Sequence, residues 1–301
     1  MKWRNRRQSN RVDDQRTHTT GKRNIGIKGG IGTAVLALVL WGVFGIDPST
    51  TLGLSEQLSS QTSTTQPIVE TEQSNRTKQF VSVVLADTED TWQQIFAQHN
   101  AEYTPPTLVL FENRVQSACG QGQSAMGPFY CPADQRVYLD MRFFADMRQK
   151  FGIRGELAGS GESDGSQAGD FAQAYVIAHE VGHHVQTILG ISQQVRQAQQ
   201  QAHSETARNQ LAVRQELQAD CFAGIWAHHN QKRTQFLQAG DIEEAIDAAS
   251  QIGDDRLQQR SQGYIVPESF THGSSQQRVH WFQVGLKSGQ LEQCDTFQAA
   301  I

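Results

Sequence analysis

Apolar residues recur with a helical period over most of the second half of the chain. The spacing, together with Asp, Ser and Gly at the expected ends, predicts helices over residues 170–190, 205–229, 241–253 and 274–289, after an earlier one over 80–99. The segment 171–189 is apolar almost all round, which is typical of a helix buried at the centre of a domain. A Gln-rich stretch, 193–201, fits either a helix or a loop.

The predicted helix starts carry capping-box patterns. Asp170 is followed three residues later by Gln173, and Asp241 by Glu244, a spacing in which side chains bond the free backbone N–H groups of the first turn. Two short runs, 107–111 and 136–140, have β-strand character. The expected fold class is α+β, predominantly helical, with a small β-sheet.

One uncharged apolar run stands apart from these elements. Residues 29–46 number 18, enough for about 27 Å of helix, close to the roughly 30 Å hydrocarbon core of a bilayer. We expect a transmembrane helix here. A cleaved signal peptide would have a shorter apolar core and a small-residue cleavage site, and a buried soluble helix would contain fewer glycines.

Charge divides the chain on either side of this run. Nine of the 26 Lys and Arg residues lie within the first 28 positions, with only two acidic residues. This bias predicts a cytoplasmic N-terminus and a single-pass topology with the folded part outside. The domain prediction is a basic cytoplasmic head (1–28), the transmembrane helix (29–46), a Ser/Thr/Gln-rich flexible tether (47–77) and a catalytic domain (78–301). The acidic remainder argues against nucleic-acid binding.

All four cysteines lie beyond the apolar run. An even number on the exported side predicts two disulfides. A short Gly/Pro-containing loop favours Cys119–Cys131, and Cys221–Cys294 then follows by elimination. The alternative, a zinc site made of all four cysteines, lacks the paired C-x2-C spacing of such sites.

The string His179-Glu180-Val181-Gly182-His183 carries the candidate chemistry. In a helix the two histidines lie only about 40° apart, so both rings can reach one Zn²⁺. Glu180 lies about 100° around the helix, where it can act as a base toward a water molecule at the metal. The alternative is a pair of helix histidines that bond to backbone or solvent.

A third ligand is needed, and Glu216 in the string Glu216-Leu-Gln-Ala-Asp220 is the best candidate. Asp220 lies one helical turn further on and can accept the other N–H of a ligand histidine. The alternative, a solvated acidic face, conflicts with the apolar residues that flank both carboxylates.

These strings resemble a known family. HEVGHH preceded by AYVIA, then ELQADCFAGIWAHH and GYIVPESFTHGSSQQR, and the head WRNRRQSNRVDDQR, are similar to the bacterial "putative neutral zinc metallopeptidase" family. The site is also similar to the gluzincins, in which the Glu of an ExxxD helix completes HExxH. The resemblance implies a zincin-like domain on the periplasmic side of the bacterial inner membrane. It also implies one Zn²⁺ per chain on His179, His183 and Glu216, with Glu180 as base.

The implied reaction is hydrolysis of peptide bonds in a peptide or protein substrate. Its oxyanion needs a donor besides zinc, and the candidates are His272, Tyr264 and Arg278, with His272 preferred because it lies in a Gly/Ser loop before a helix. A loop histidine that contacts only solvent is the alternative for His272. By analogy with the gluzincins, the edge of strand 136–140 would bind the substrate backbone.

Two other functions compete with a peptidase. One is a non-catalytic, metal-stabilised envelope protein that acts as a binding partner, and the other is a disulfide-stapled envelope protein without metal. The presence of Glu180 favours the enzyme, because a structural metal site does not require an acid there. The substrate and the oligomeric state have no signal in the sequence.

Overall fold

The computed structural model describes residues 1–16, 72–123, 127–151 and 169–301. Within these ranges the protein is predominantly helical with a small β-sheet, which confirms the expected α+β class. The helices in the described part are α1 (Glu72–Gln98), α2 (Phe143–Phe151), α3 (Asp170–Ile188), α4 (Ile191–Gln201), α5 (Glu205–Thr234), α6 (Asp241–Gln251), α7 (Asp254–Gln262) and α8 (Ser275–Ser288).

The sheet has four strands in the order β1-β2-β6-β5. Strands β1, β2 and β6 run parallel, and β5 is antiparallel to β6. A separate antiparallel hairpin is formed by β3 and β4. The strands are β1 (Val12–Asp14), β2 (Thr107–Phe111), β3 (Arg114–Ser117), β4 (Gly120–Gln123), β5 (Phe129–Cys131) and β6 (Arg136–Asp140).

Helix α3 lies at the centre of the domain, as its apolar pattern predicted. Fifteen of its residues are buried, and it packs against α1, α5, α6 and β5. Helix α5 runs beside it and packs on its other side against α8. The Gln-rich stretch that the pattern left open belongs to α4. The active-site string therefore sits inside the core, on a helix with little freedom to move.

The predicted capping boxes at Asp170 and Asp241 are wrong. The N-caps are Gly169 and Gly240, and neither provides a side-chain cap. Glu244 instead reaches across to the first turn of α3, where it accepts a hydrogen bond from the backbone N–H of Phe171 at 3.1 Å. At α8 the predicted start after Ser274 and end near Gly289 are confirmed, because Ser274 and Gln277 form a complete capping box. Capping by a distant residue leaves no local pattern in the sequence.

Helices α5 and α8 cross in close contact at Gly285. A Cβ atom added there would overlap the carbonyl group of Cys221. Only glycine lets the two backbones approach this closely.

We therefore expect Gly285→Ala to lower the free energy of unfolding by about 2–3 kcal/mol, since the obstructing atoms belong to the backbone and cannot rotate away. Urea unfolding of the purified protein measures this. Lys287→Ala, at an exposed position on the same helix, should stay within about 0.5 kcal/mol of the wild type. Equal losses in the two variants would contradict the packing argument.

Both predicted disulfides are present. Cys119 pairs with Cys131, which joins the β3–β4 turn to the end of β5. Cys221 pairs with Cys294, which joins α5 to the final 3₁₀ turn, Leu291–Cys294. No cysteine in the described ranges is free.

The folded unit has other bounds than the sequence predicted. Residues 1–15 and 70–301 form one compact unit, although the first 28 residues were expected to form a separate head. Helix α1 begins at Glu72, so the last six residues of the predicted tether are helical. The predicted transmembrane segment 29–46 lies outside the described residues. In the ranges that are described, no helix is both long and apolar enough to cross a membrane.

Candidate metal centre and active-site cavity

The two histidines of the HExxH string lie side by side on α3, as the helical spacing predicted. Their ring centroids are 4.8 Å apart and the rings are nearly perpendicular. Each directs its Nε2 atom toward the carboxylate of Glu216, at 3.2 Å for His179 and 3.4 Å for His183. The structure thus brings together the three side chains that the sequence selected as metal ligands.

Glu216 reaches the histidines because α5 lies unusually close to α3. Gly182 of α3 faces Ala219 of α5, and a Cβ added at Gly182 would be 3.0 Å from the Ala219 carbonyl oxygen. The glycine inside the HExxH string therefore allows the helix that carries Glu216 and Asp220 to approach.

Asp220 holds the ring of His179. The Nδ1–H of His179 donates to Asp220 Oδ1 at 2.7 Å, which leaves Nε2 as the atom available to a metal. Such a carboxylate partner sets the tautomer and increases the basicity of the ligand nitrogen. The position of Asp220 is the one proposed from the sequence.

Gln186 performs the same task for His183. Its Oε1 accepts a hydrogen bond from the Nδ1–H of His183 at 2.9 Å, and its amide nitrogen donates to Gln215 O and Gln218 Oε1. Gln186 is fully buried, and these bonds determine which end of its amide faces His183. Both histidines are consequently held as Nδ1–H tautomers that present Nε2 to the same point.

The donor set fits a zinc ion. One atom from each of His179, His183 and Glu216 lies within 4.8 Å of the other two. Ligand atoms bound tetrahedrally at about 2.1 Å lie about 3.3 Å apart, and the two distances to Glu216 are 3.2 and 3.4 Å. Two imidazoles with one carboxylate are also the ligands of known catalytic zinc sites that keep one open position.

The charges around the donors favour a cation. Burial by itself lowers the pKa of His179, but the Asp220 and Glu216 carboxylates raise it to about 10. Burial likewise raises the pKa of Glu216, yet the two histidines hold it well below its usual range. The pocket therefore stabilises positive charge at the point where the three side chains meet.

Behind the donors, Asp220 is the centre of a buried network. Arg278 binds both of its oxygens, with Nε donating to Oδ2 at 2.9 Å and Nη2 to Oδ1 at 3.0 Å. The hydroxyl of Tyr175 donates to Oδ1 at 2.5 Å. Burial raises the pKa of Asp220, but Arg278 and His179 bring it to about 2, so the carboxylate is ionised at neutral pH.

We expect Arg278→Met to weaken both the fold and the metal centre. Asp220 would keep its charge in a buried site without its main counter-ion, which typically costs about 3–5 kcal/mol. Zinc affinity should fall about 10- to 100-fold because His179 loses its fixed partner. Urea unfolding and competition with a chromogenic chelator measure the two effects. Arg256→Met, at an exposed arginine, is the matched control and should change neither.

A cavity of about 560 Å³ opens over the donor atoms. Glu180 lies in its wall beside His179, as predicted for a base. The opposite wall is apolar and aromatic, formed by Phe129, Phe143, Val176, Ile252 and Leu257. A peptide could therefore meet both the acid–base group and an apolar surface.

Of the three candidate oxyanion donors, His272 has the best placement. It lines the cavity, its side chain is 52% exposed, and its Nδ1 lies 3.3 Å from Asp254 Oδ1. The bond to Asp254 raises the pKa of His272 despite the opposing effect of burial, which favours a ring that can donate. Tyr264 is 61% exposed and is not part of the cavity wall. Arg278 uses its donors on Asp220, Tyr175 and the Ile252 carbonyl.

The prediction that strand 136–140 offers an edge to substrate is wrong. Strand β6 is paired on both sides, with β2 and with β5. The outer strand of the sheet, in the described part of the chain, is the three-residue β5, and its Phe129 and Tyr130 line the cavity. A strand this short has too little alternation to be recognised from sequence.

His184 fixes β5 to the active-site helix. It points away from the donor atoms, as predicted, and is fully buried. Its Nε2–H donates to the Thr104 carbonyl at 2.7 Å, so its Nδ1 accepts from the hydroxyl of Tyr130 at 3.1 Å. Burial lowers the pKa of His184, consistent with this neutral form.

Several contributing residues were missed in the sequence, although some had a signal. Gln186 lies three residues after His183 and Tyr175 four before His179, both on the helix face of the ligands. Asp254, which holds His272, lies 18 residues away in sequence, and that contact has no local signature.

Comparison with known proteins supports this chemistry. The chain is 47% identical over 308 aligned residues to the uncharacterised protein YpfJ of Escherichia coli (strain K12), covering all of both chains. It is 39% identical over 207 residues to the uncharacterised protein Rv2575 of Mycobacterium tuberculosis (strain H37Rv), covering 66% of this chain and 64% of that one. No solved structure matches it.

A family model for the "putative neutral zinc metallopeptidase" matches residues 1–161 and 162–297, almost the whole chain. The matched part includes the head, the HExxH string and the helix that carries Glu216. With its two histidines and one carboxylate around a common point, the chain belongs to this zinc metallopeptidase family.

Proposed function

We propose that the protein is an endopeptidase that binds one Zn²⁺ per chain through His179, His183 and Glu216. The observation that carries the proposal is the convergence of both Nε2 atoms on the Glu216 carboxylate beside Glu180, in a cavity open to substrate. A buried site that served only to stabilise the fold would need neither the cavity nor the adjacent acid.

Zinc held by these donors supplies a Lewis acid that polarises the scissile carbonyl and makes an attacking water more acidic. Glu180 accepts the proton of that water and delivers it to the leaving amine. His272, held by Asp254, donates a hydrogen bond to the carbonyl oxygen as negative charge develops on it. The His179 and His183 rings stay fixed throughout because Asp220 and Gln186 hold their far nitrogens.

The cavity wall also suggests how a peptide binds. The free edge of β5 can pair with an extended peptide backbone, and the aromatic residues Phe129 and Phe143 offer an apolar surface beside the reaction centre. We therefore expect cleavage next to apolar side chains.

Metal removal tests the proposal. Purified protein should contain about one zinc per chain, and a chelator should abolish cleavage of a peptide library made from a bacterial proteome, with activity restored by added Zn²⁺. New N-termini detected by mass spectrometry report both activity and preference. Cleavage that is unaffected by full metal removal would exclude the mechanism. Retained zinc without any cleavage would favour the non-catalytic binding protein.

A further inference from the structure

The N-terminal head, defined here as residues 1–15, is part of the catalytic unit. Strand β1 pairs with β2 in parallel, with Val12 opposite Leu108. Further backbone bonds join Lys2 to Phe236 and Ser9 to Ser82. The head therefore forms backbone hydrogen bonds with three separate regions of the domain, which is more than a surface contact.

Basic residues of the head bind acidic residues of α1. Arg6 donates to Asp87 at 2.7 Å, and Arg7 donates to Glu89 at 2.9 Å and to Asp90 at 2.6 Å. Asp87 and Glu89 are buried, so they need these partners. The charge bias that predicted a cytoplasmic N-terminus is thus used, in part, for contacts within the domain.

The head also contacts the helix that carries the histidines. The indole N–H of Trp3 donates to Asp170 at the start of α3 at 3.0 Å, and the Trp3 ring packs edge-on against Phe80 of α1. A head in another compartment would be separated from these partners by about 30 Å of hydrocarbon.

The compartment follows from the two disulfides. Cys119–Cys131 and Cys221–Cys294 lie in the same compact unit as the head. Disulfides of this kind persist in oxidising compartments and are rare in the cytosol.

We propose that the head and the catalytic domain lie together on the oxidising, extracytoplasmic side of the membrane. The topology predicted from the sequence, with a cytoplasmic N-terminus and an external domain, would separate Arg6 and Arg7 from their partners. The inference rests on the contacts of residues 1–15 and is independent of the proposed peptidase activity.

Thiol labelling of the full-length chain tests this placement. Gln8→Cys in the head and Gln201→Cys at the end of α4 each add one thiol at an exposed position, whereas the native cysteines are paired. In spheroplasts, a membrane-impermeant maleimide should label both variants to the same extent before lysis. Labelling of Gln8→Cys only after lysis would overturn the proposal, and so would labelling of both variants only after lysis.

A second measurement tests the docking itself. Arg6→Ala should lower the Tm of the purified protein by several degrees, because the buried Asp87 loses a charged partner. Arg4→Ala, at an exposed position of the same head, is the control and should leave the Tm unchanged. Equal Tm values for Arg6→Ala and the wild type would contradict a docked head.

Discussion

Replacing Glu180 with glutamine should abolish detectable peptide hydrolysis while the protein keeps its zinc. The substitution preserves the shape of the side chain but removes the group that accepts the proton of the attacking water. General acid–base catalysis typically contributes about 10²- to 10⁴-fold, so a loss of this size is expected in kcat/KM. Cleavage rates on a fluorogenic peptide chosen from the library, together with zinc content, measure the two effects.

The control for this variant is Glu243→Gln, an exposed glutamate on α6. It should cleave at the wild-type rate. Glu180 lies in the cavity wall and is not one of the three converging donors, so its loss should not release the metal. A Glu180→Gln variant that cleaves at an undiminished rate would remove the base from the mechanism.

Replacing Glu216 with glutamine should release the metal. The carboxylate is the only negatively charged member of the donor set, and it contacts both histidines. Removing an outer partner of a ligand costs about 10- to 100-fold in metal affinity, and removing a ligand should cost more. Zinc content after dialysis against a chelator of known affinity measures the loss, and hydrolysis should fall with it.

Two comparisons make this result specific. Glu268→Gln changes an exposed glutamate and should keep its zinc. The Glu216→Gln variant should still fold, since amide and carboxylate have nearly the same volume, and circular dichroism checks this. If Glu216→Gln bound zinc as tightly as the wild type, Glu216 would not be a ligand.

Much of the site was predictable because it depends on helical geometry. The period of the helix places His179 and His183 on one face, and Glu216 and Asp220 on one face of another helix. Gln186 and Tyr175 follow the same rule and were within reach. The Ser274–Gln277 capping box and the helix end at Gly289 are equally local features.

Contacts between distant segments were the ones that sequence reasoning missed. Glu244 caps a helix 73 residues away in sequence, Arg278 neutralises Asp220 across 58 residues, and Asp254 holds His272 across 18. Each side chain reads locally as an ordinary polar residue of its own element. Its partner is determined only by how the elements pack.

The sequence by itself determined the active-site helix, its paired histidines and adjacent acid, the carboxylate pair of a second helix and two disulfides. These features depend on backbone periodicity, which acts over a few residues. Tertiary structure decided which strand faces the cavity, how Gly182 lets α5 approach α3, and that residues 1–15 belong to the folded unit. Those outcomes depend on close packing and on buried charges finding partners, and both act between residues far apart in the chain.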